Sequence, residues 1–473
     1  MPRAFLAGKL GIITFMRELS GWGGRPRFPV EEIEPENRAG LSDLIDLPYL
    51  PRGRGRSYGD AGLPAAGHRA VNSRCFRRVL SFDASTGVVD AEAGVTLKAL
   101  LAIVLPRGFF LPVTPGTMDV TLGGALASNV HGKNHHRVGS IERFVIEAEV
   151  ATPVGTFTCS PSERSDLFRA TVGGYGLTGF IVRAKLRLMP VATAQVEALR
   201  LRAPDLESMF ALFARHDHAY EYSVAWLDTL ARGRSLGRGV LMLGNHAAPS
   251  GLGSGGSGEP GGPGGPGADL AMRPRRALAV PFALPGFAFN RPALTAFNGL
   301  FYRCSRAGRS REPLEAFFYP LDRIRDWNRL YGRRGFFQYQ CAIPDPKGEA
   351  GMREVLDLLA RERLGAFLSV LKRCGDDEAL LPFCKRGYTL ALDVPYRGPA
   401  TLAALDRLDE LVIRYGGRVY LTKDARLSPA AFRAMYPEAS AFMATVRHYN
   451  PEAGGGGGRC DSRLAQRLEL WKI

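Results

Sequence analysis

Three glycine-rich stretches decide the fold: PRGRGRSYGD at residues 51–60, PGTMDVTLGGALASNVHGKNHH at residues 115–136 and TVGGYGLTG at residues 171–179. In the first stretch, three glycines lie within seven residues. Such glycines let the backbone come close to a ligand, and successive N–H groups form a concavity that binds anions. The alternative is a tight surface turn. The spacing matches neither a Rossmann fingerprint nor a P-loop.

The second stretch combines a backbone cradle with a cluster of basic side chains. Thr121 precedes two consecutive glycines, which indicates a cradle at or near a helix N-terminus. His131, Lys133, His135 and His136 follow within six residues. A metal site, a helix-capping loop with solvated histidines, and contacts to a cofactor or substrate are three interpretations of this cluster. We predict no metal site, because no acidic or cysteine residue is interleaved at ligand spacing.

Short strands and helices alternate around these stretches, which predicts an α+β arrangement rather than a regular βαβ series. Thr96 is predicted to cap a helix that ends at Leu105, and Ser165 to cap a helix that ends at Thr171. A hairpin is predicted around the turn Pro153-Val154-Gly155.

The middle of the chain has longer elements in a different order. A strand, a helix, two strands and a helix are predicted, in that order, at Gly335–Ile343, Gly348–Arg363, Ala366–Lys372, Tyr388–Val394 and Thr401–Tyr415. This order predicts an antiparallel sheet with helices on one face.

The composition is that of an ordinary globular protein with a basic charge. The 473 residues include 62 Lys and Arg against 46 Asp and Glu, a formal net charge of +16. The excess favours an anionic partner, and a coding bias toward arginine explains it equally well. Seven scattered cysteines without a CxxC pair argue against a disulfide framework and a zinc site.

Residues 1–17 contain interspersed basic residues and no continuous apolar run, so no signal peptide is predicted. No apolar stretch is long enough for a transmembrane helix. We therefore expect a protein that is cytoplasmic or peripheral to a membrane.

In this order, the three stretches resemble the vanillyl-alcohol-oxidase (PCMH-type FAD-binding) family. The strings GRSYGD and HGKNHH are specific, and they are most similar to its decaprenylphosphoryl-β-D-ribose 2′-oxidase-like branch. The resemblance continues through Phe337–Gln340 and Gly417–Asp424 and covers about residues 21–468. Ala391 and Phe318 depart from it: some members have a cysteine in place of Ala391, and a tyrosine is expected in place of Phe318.

The resemblance implies a two-part FAD-binding domain and a substrate domain. The first part spans residues 1–190, and the substrate domain spans 191–415 with a disordered Gly/Pro loop at 249–269. The C-terminal segment, 416–473, returns to the FAD-binding domain. Some related enzymes attach the flavin covalently to a histidine in the first loop. Residues 56–58 read Arg-Ser-Tyr, so we expect non-covalent FAD.

The resemblance also implies site residues. Lys423 is the expected catalytic residue, because a lysine can stabilise an anionic reduced flavin or accept the substrate proton. The alternative is a surface lysine at a strand end. His131 and Lys133 are expected to bind substrate or to assist proton removal. The expected substrate contacts are Tyr58, Gln338, Gln340 and Lys372. The expected cofactor contacts are Arg52, Gly53, Gly55, Arg56, Ser57, Tyr58, Gly59, Asp60, Gly116, Thr121, Gly123, Gly124, Ser128, Asn129, His131, Gly179, Ile181 and Tyr420.

The implied reaction is FAD-dependent oxidation of a sugar hydroxyl to a ketone. The favoured substrate is a polyprenyl-phosphoryl ribose, oxidised at its 2′-hydroxyl as the first half of an epimerisation to the arabinose form used in cell-wall arabinan. A separate short-chain reductase would complete the epimerisation. The alternative is an aldonolactone or alditol oxidase that acts on a soluble sugar. A nucleic-acid-binding protein is disfavoured, because no RNP, KH or zinc-finger motif occurs.

Ala277–Phe289 reads ALAVPFALPGFAF, an uncharged segment too short to span a bilayer. Arg273, Arg275 and Arg276 precede it. A basic cluster beside an apolar segment is typical of a peripheral membrane contact. The alternative is a buried wall of the substrate domain.

Overall fold

In a computed structural model, the described residues are 4–7, 12–35, 40–41, 44, 46–249, 270–272, 277–284, 291–366, 368–453 and 456–473. The predicted Gly/Pro loop beyond residue 249 and the predicted basic cluster at Arg273, Arg275 and Arg276 lie outside these ranges.

Two five-stranded sheets are built from the first 190 residues. The first is antiparallel on one side and parallel on the other, with strands in the spatial order Ala4–Ala7, Ile12–Ser20, Arg27–Pro35, Arg69–Asn72 and Tyr49–Arg52. The second is antiparallel throughout, in the order Gly155–Cys159, Val145–Thr152, Phe180–Arg187, Val88–Glu92 and Val79–Asp83. The predicted hairpin is confirmed, since Gly155 pairs with Thr152.

The helices of this region are Leu97–Val104, Leu122–Ala127, His135–Val138 and Ser165–Thr171. The predicted cap at Thr96 is confirmed, because its side chain accepts a hydrogen bond of 3.1 Å from the Ala99 N–H. The predicted cap at Ser165 is wrong. Arg164, with φ of 45°, is the cap residue, and this left-handed turn places Ser165 inside the first helical turn.

A third, eight-stranded sheet is antiparallel throughout, and its strands lie in the order Gly308–Pro313, Gln195–Ala203, Gly239–His246, Tyr222–Leu227, Ser369–Cys374, Gly387–Pro395, Phe336–Pro344 and Arg418–Val419. We call it the large sheet. With its helices, it confirms the predicted α+β class.

The two faces of the large sheet differ because side chains alternate along each strand. On Phe336–Pro344, the buried side chains of Tyr339, Cys341 and Ile343 join an apolar core. This core also contains apolar side chains of the helices Leu206–His216, Gly348–Arg361 and Pro399–Arg414. The intervening Gln338 and Gln340 belong to the opposite face, which lines a cavity. Further helices are Arg291–Cys304, Leu314–Phe318, Pro429–Met435, Ala439–Tyr449 and Arg463–Arg467.

The end of the chain contacts its beginning. Tyr49 donates its N–H to the Arg459 carbonyl at 2.7 Å, and its own carbonyl accepts from the Asp461 N–H at 3.1 Å. These bonds agree with a C-terminal return, but the strand Arg418–Val419 pairs with Phe336–Pro344 of the large sheet. The predicted division of the chain into residues 1–190, 191–415 and 416–473 therefore stays a prediction. Among the described helices, none combines the length and apolarity needed to cross a bilayer.

Candidate active site

A cavity of about 1850 Å³ lies between the glycine-rich stretches and the face of the large sheet that carries Gln338 and Gln340. Pockets for drug-sized ligands are typically about 300–1,000 Å³. This volume therefore accommodates a large cofactor together with part of a second molecule.

Most of the residues predicted from sequence lie on the wall of this cavity, although their individual roles stay predictions. Those that line it are Arg52, Gly53, Gly55, Arg56, Ser57, Tyr58, Gly116, Thr121, Gly123, Gly124, Ser128, His131, Lys133, Gly179, Ile181, Gln338, Gln340, Lys372, Tyr420 and Lys423. The two departures from the family pattern, Ala391 and Phe318, line it as well.

Three predicted cofactor contacts, Gly59, Asp60 and Asn129, are outside this lining. Asp60 is buried and accepts two hydrogen bonds of 2.7 and 2.8 Å from the Arg467 guanidinium. Asn129 donates its amide to Glu142 at 3.0 Å. Both side chains therefore make hydrogen bonds within the protein rather than line the cavity.

Gly59 brings two loops of the site into close contact. A Cβ atom there would lie 1.6 Å from the Asp424 carbonyl oxygen, so only glycine fits. One residue earlier, the Tyr58 N–H donates to the Thr422 carbonyl at 3.1 Å. The contact places Lys423 Nζ 3.8 Å from the centre of the Tyr58 ring. A lysine thus stands over an aromatic face at the cavity wall.

The surroundings of Lys423 depress its basicity. Burial lowers the pKa of Lys423 to about 7, while the nearby Asp393 carboxylate acts in the opposite direction. Asp393 is fully buried and accepts hydrogen bonds from Gln338 Nε2 at 2.6 Å and from the Tyr331 hydroxyl at 3.2 Å. Burial raises its pKa to about 7. Asp393 and Tyr331 were not singled out in the sequence analysis. The alternating Gln338 and Gln340 were the one sign that this strand and its neighbour, Gly387–Pro395, contribute polar side chains to a site.

His131 is held in one tautomer by its neighbours. Thr389 donates its hydroxyl to the Cys341 carbonyl, so its oxygen accepts from Gln340 Nε2 at 3.3 Å. The same amide nitrogen lies 3.0 Å from His131 Nε2, which must therefore accept and leave the ring proton on Nδ1. Burial, together with the positive charge of Lys372, holds the pKa of His131 well below its usual value. The ring is neutral and offers an N–H donor.

Two further lysines add positive charge to the wall near His131. Lys133 Nζ donates to the Phe317 carbonyl and lies 4.5 Å from the centre of that ring. Lys372 Nζ donates to the Gly132 carbonyl at 3.3 Å. Burial lowers the pKa of both lysines, that of Lys133 to about 7. A ligand that brings negative charge would stabilise their protonated forms.

The arginines of the first stretch are largely committed to protein partners. Arg54 pairs with Asp119 at 2.7 Å, and Arg56 pairs with the same carboxylate. Arg52 donates to the Ser20 carbonyl at 3.0 Å and to the Gly62 carbonyl. These arginines tie the first stretch to its neighbours. They are therefore weaker evidence for an anionic partner than the net charge alone suggests.

The wall fits a flat, partly anionic cofactor. The first two stretches touch, since a Cβ at Gly53 would lie 2.3 Å from Thr121 Oγ1. Thr121 accepts from the Gly124 N–H at 3.2 Å and caps the following helix, so this stretch does lie at a helix N-terminus. A Cβ at Gly116 would meet no atom within 4 Å, so this part of the cradle is open. Among the described residues, the buried Nδ1 of His131 has no hydrogen-bond partner, which leaves a donor for a ligand.

Comparison with known proteins identifies the cofactor. Residues 41–160 match the family model described as an FAD binding domain. The cofactor prediction is confirmed: the chain binds FAD, and the matched residues include the first two glycine-rich stretches.

Comparison with whole proteins extends the match over most of the chain. The chain is 34% identical over 428 residues to the decaprenylphosphoryl-beta-D-ribose oxidase of Mycolicibacterium smegmatis, covering 89% of each protein. It is 36% identical over 393 residues to an uncharacterised protein of Streptomyces coelicolor, covering 80% of this chain and all of that protein. A putative D-arabinono-1,4-lactone oxidase of Neurospora crassa is 27% identical, over 36% of this chain and 31% of that protein.

Proposed function

We propose that this chain, which belongs to the decaprenylphosphoryl-β-D-ribose oxidase family and is an FAD-dependent oxidoreductase, oxidises the 2′-hydroxyl of a polyprenyl-phosphoryl ribose to a ketone. The observation that carries the proposal is the placement of Lys423 and His131 on one cavity wall, between the FAD-binding stretches and the large sheet. Bound FAD would supply the acceptor for the hydride of the sugar carbon. A separate short-chain reductase then completes the epimerisation to the arabinose form.

Lys423 acts as the base. An amine with a pKa of about 7 is substantially neutral at physiological pH, so it can accept the hydroxyl proton. The ammonium that results would stabilise the negative charge that a bound flavin would acquire as the substrate is oxidised. The nearby buried Asp393, in its ionised form, stabilises this charge.

His131 orients the reacting groups as a donor. With its proton on Nδ1 and Nε2 engaged by Gln340, the neutral ring offers one N–H to a cofactor or substrate oxygen. It is therefore a weaker candidate for proton removal than Lys423. Lys133 and Lys372 supply positive charge for the substrate phosphate.

Exposed apolar side chains near the cavity support a lipid-linked substrate. Leu278 and Phe282 are 74% and 65% exposed, and Leu300 is 63% exposed. Phe297 and Phe301 are also exposed, and both line the cavity. Exposed apolar clusters of this kind are typical of contacts with membranes or apolar ligands. They favour a peripheral membrane contact of residues 277–284 over a buried wall.

The test of the reaction is anaerobic reduction of the bound flavin by a panel of polyprenyl-phosphoryl sugars and free alditols. We expect bleaching by the polyprenyl-phosphoryl ribose, and a loss of at least about 100-fold in the reduction rate in Lys423→Ala. The matched control is Lys385→Ala, a partly buried lysine that lies outside the cavity lining. Bleaching by free alditols alone would assign the chain to the alditol oxidases instead.

The test of the membrane contact is co-sedimentation with vesicles that contain anionic lipid. We expect the wild type to sediment with them and the variant Leu278→Ser/Phe282→Ser to stay in the supernatant. The control variant is Leu80→Ser/Val154→Ser, which removes two exposed apolar side chains elsewhere. Equal sedimentation of all three proteins would remove residues 277–284 from the contact.

A further inference from the structure

A second cluster of reactive side chains lies outside the cavity lining. One nitrogen of His135 and the Sγ atoms of Cys374 and Cys384 all lie within 4.8 Å of one another. The side chain of His135 has no exposed surface, and the two cysteines are 3% and 1% exposed. The residues come from a short helix, the end of a strand of the large sheet, and the loop that follows it.

Hydrogen bonds to both nitrogens of His135 fix its ring. The Gly375 N–H donates to Nδ1 at 3.1 Å, so the ring proton is on Nε2. The Nε2–H group donates to Asp377 Oδ1 at 2.8 Å. Because Nε2 is engaged by Asp377, Nδ1 is the nitrogen left to bind an ion, which would take the place of the Gly375 N–H.

Asp377 supports the cluster from behind. Its Oδ1 also accepts from the Ser140 hydroxyl at 2.5 Å, and its Oδ2 accepts from the Cys384 N–H at 2.8 Å. The carboxylate therefore fixes the orientation of the imidazole and holds the loop that carries one of the sulfur atoms. A carboxylate on the outer nitrogen of a histidine is the usual arrangement behind a metal-ligating imidazole.

We propose that His135, Cys374 and Cys384 bind a thiophilic divalent metal ion of the Zn²⁺ class. Thiolate and imidazole ligands favour such an ion over Mg²⁺ or Ca²⁺. Tetrahedral zinc with bonds of about 2.0–2.3 Å to nitrogen and sulfur needs ligand atoms about 3.5–4 Å apart, so small shifts suffice. Two thiolates neutralise the ion, which leaves Lys372 beside a neutral centre.

The proposed ion would hold elements of the active site in place and would take no part in the reaction. His135 lies four residues after His131, and Cys374 lies two residues after Lys372 on the same face of its strand. The metal would join the end of the HGKNHH string to the edge of the wall that carries Lys372. The proposal of a metal site does not depend on the proposed substrate, since metal content can be measured without turnover.

The experiment measures zinc in the purified holoenzyme by mass spectrometry, after incubation with Zn²⁺ and passage over a chelating resin. We expect about one zinc per chain in the wild type and in Cys159→Ser, a buried cysteine outside the cluster. We expect less than a tenth of that in Cys374→Ser/Cys384→Ser. Equal zinc in all three proteins, or none in the wild type, overturns the proposal.

A wild-type measurement keeps the proposal testable if the double variant fails to fold. A thiol-specific mercurial is added to the zinc-loaded holoenzyme, and released zinc is followed with a chromogenic chelator. Release in step with modification of Cys374 and Cys384, located by peptide mapping, supports the site. Peptide mapping that finds these two cysteines joined as a disulfide in the protein as purified identifies a redox pair and overturns it.

Discussion

Substitution of Gly59 by alanine tests how strictly the two loops beneath Lys423 must fit together. The new Cβ would lie 1.6 Å from the Asp424 oxygen, so the loops must separate by about 1.8 Å to reach an ordinary contact of 3.4 Å. Two hydrogen bonds cross this contact, Tyr58 N–H to the Thr422 carbonyl at 3.1 Å and Asp60 N–H to that of Asp424 at 3.3 Å. Losing both costs about 1–3 kcal/mol of unfolding free energy.

The same separation displaces the Lys423 amino group from its place over Tyr58. A misplacement of about 1 Å in an active site can cost about 100-fold in rate, so Gly59→Ala is expected to reduce its flavin at least that much more slowly. The assays are anaerobic stopped-flow reduction with substrate and urea unfolding followed by fluorescence. Gly299→Ala is the control, because a Cβ there meets no atom within 4 Å. A Gly59→Ala protein with wild-type kinetics and an unchanged unfolding midpoint would refute this account of the contact.

Three further predictions follow from the site. The proposed role of the neutral Lys423 amine as the base predicts that flavin reduction is slow in acid and accelerates as the pH rises through about 7; a flat wild-type profile contradicts this role. Acid precipitation should leave all flavin in the supernatant, since Arg56-Ser57-Tyr58 contains no histidine; flavin in the pellet would show a covalent bond. Thr121→Ala should lower the free energy of unfolding by about 1 kcal/mol in urea titrations, while Thr121→Ser retains the cap, and equal midpoints for both would rule the cap out.

Local patterns predicted much of the architecture. Thr96 caps its helix, and the helix predicted at Thr401–Tyr415 spans Pro399–Arg414, where Gly416, with φ of 68°, follows the last turn. These features depend on residues close together in the chain. Ser165 shows the limit of the method, because the left-handed conformation of Arg164 has no signal among its neighbours.

Long-range contacts account for what the sequence could not predict. The glycine-rich strings located the cavity wall, but Asp393 contacts Gln338 from another strand, 55 residues away. His135 and Asp377 are 242 residues apart, so no ligand spacing signalled the buried cluster. The excess of basic residues favoured an anionic partner, and only the structure shows that Asp119 pairs with Arg54 and Arg56.

Because side chains alternate between the two faces of the large sheet, neighbouring residues on one strand are constrained in different ways. Val370 and Lys372 line the cavity while Leu371 packs in the apolar core, and on the next strand Ala391 lines the cavity between residues that pack in the core. Substitutions at cavity-facing positions can therefore alter substrate preference with little loss of stability, whereas their neighbours cannot change freely. New substrate ranges are therefore accessible through single substitutions at apolar cavity-facing positions such as Val370 and Ala391.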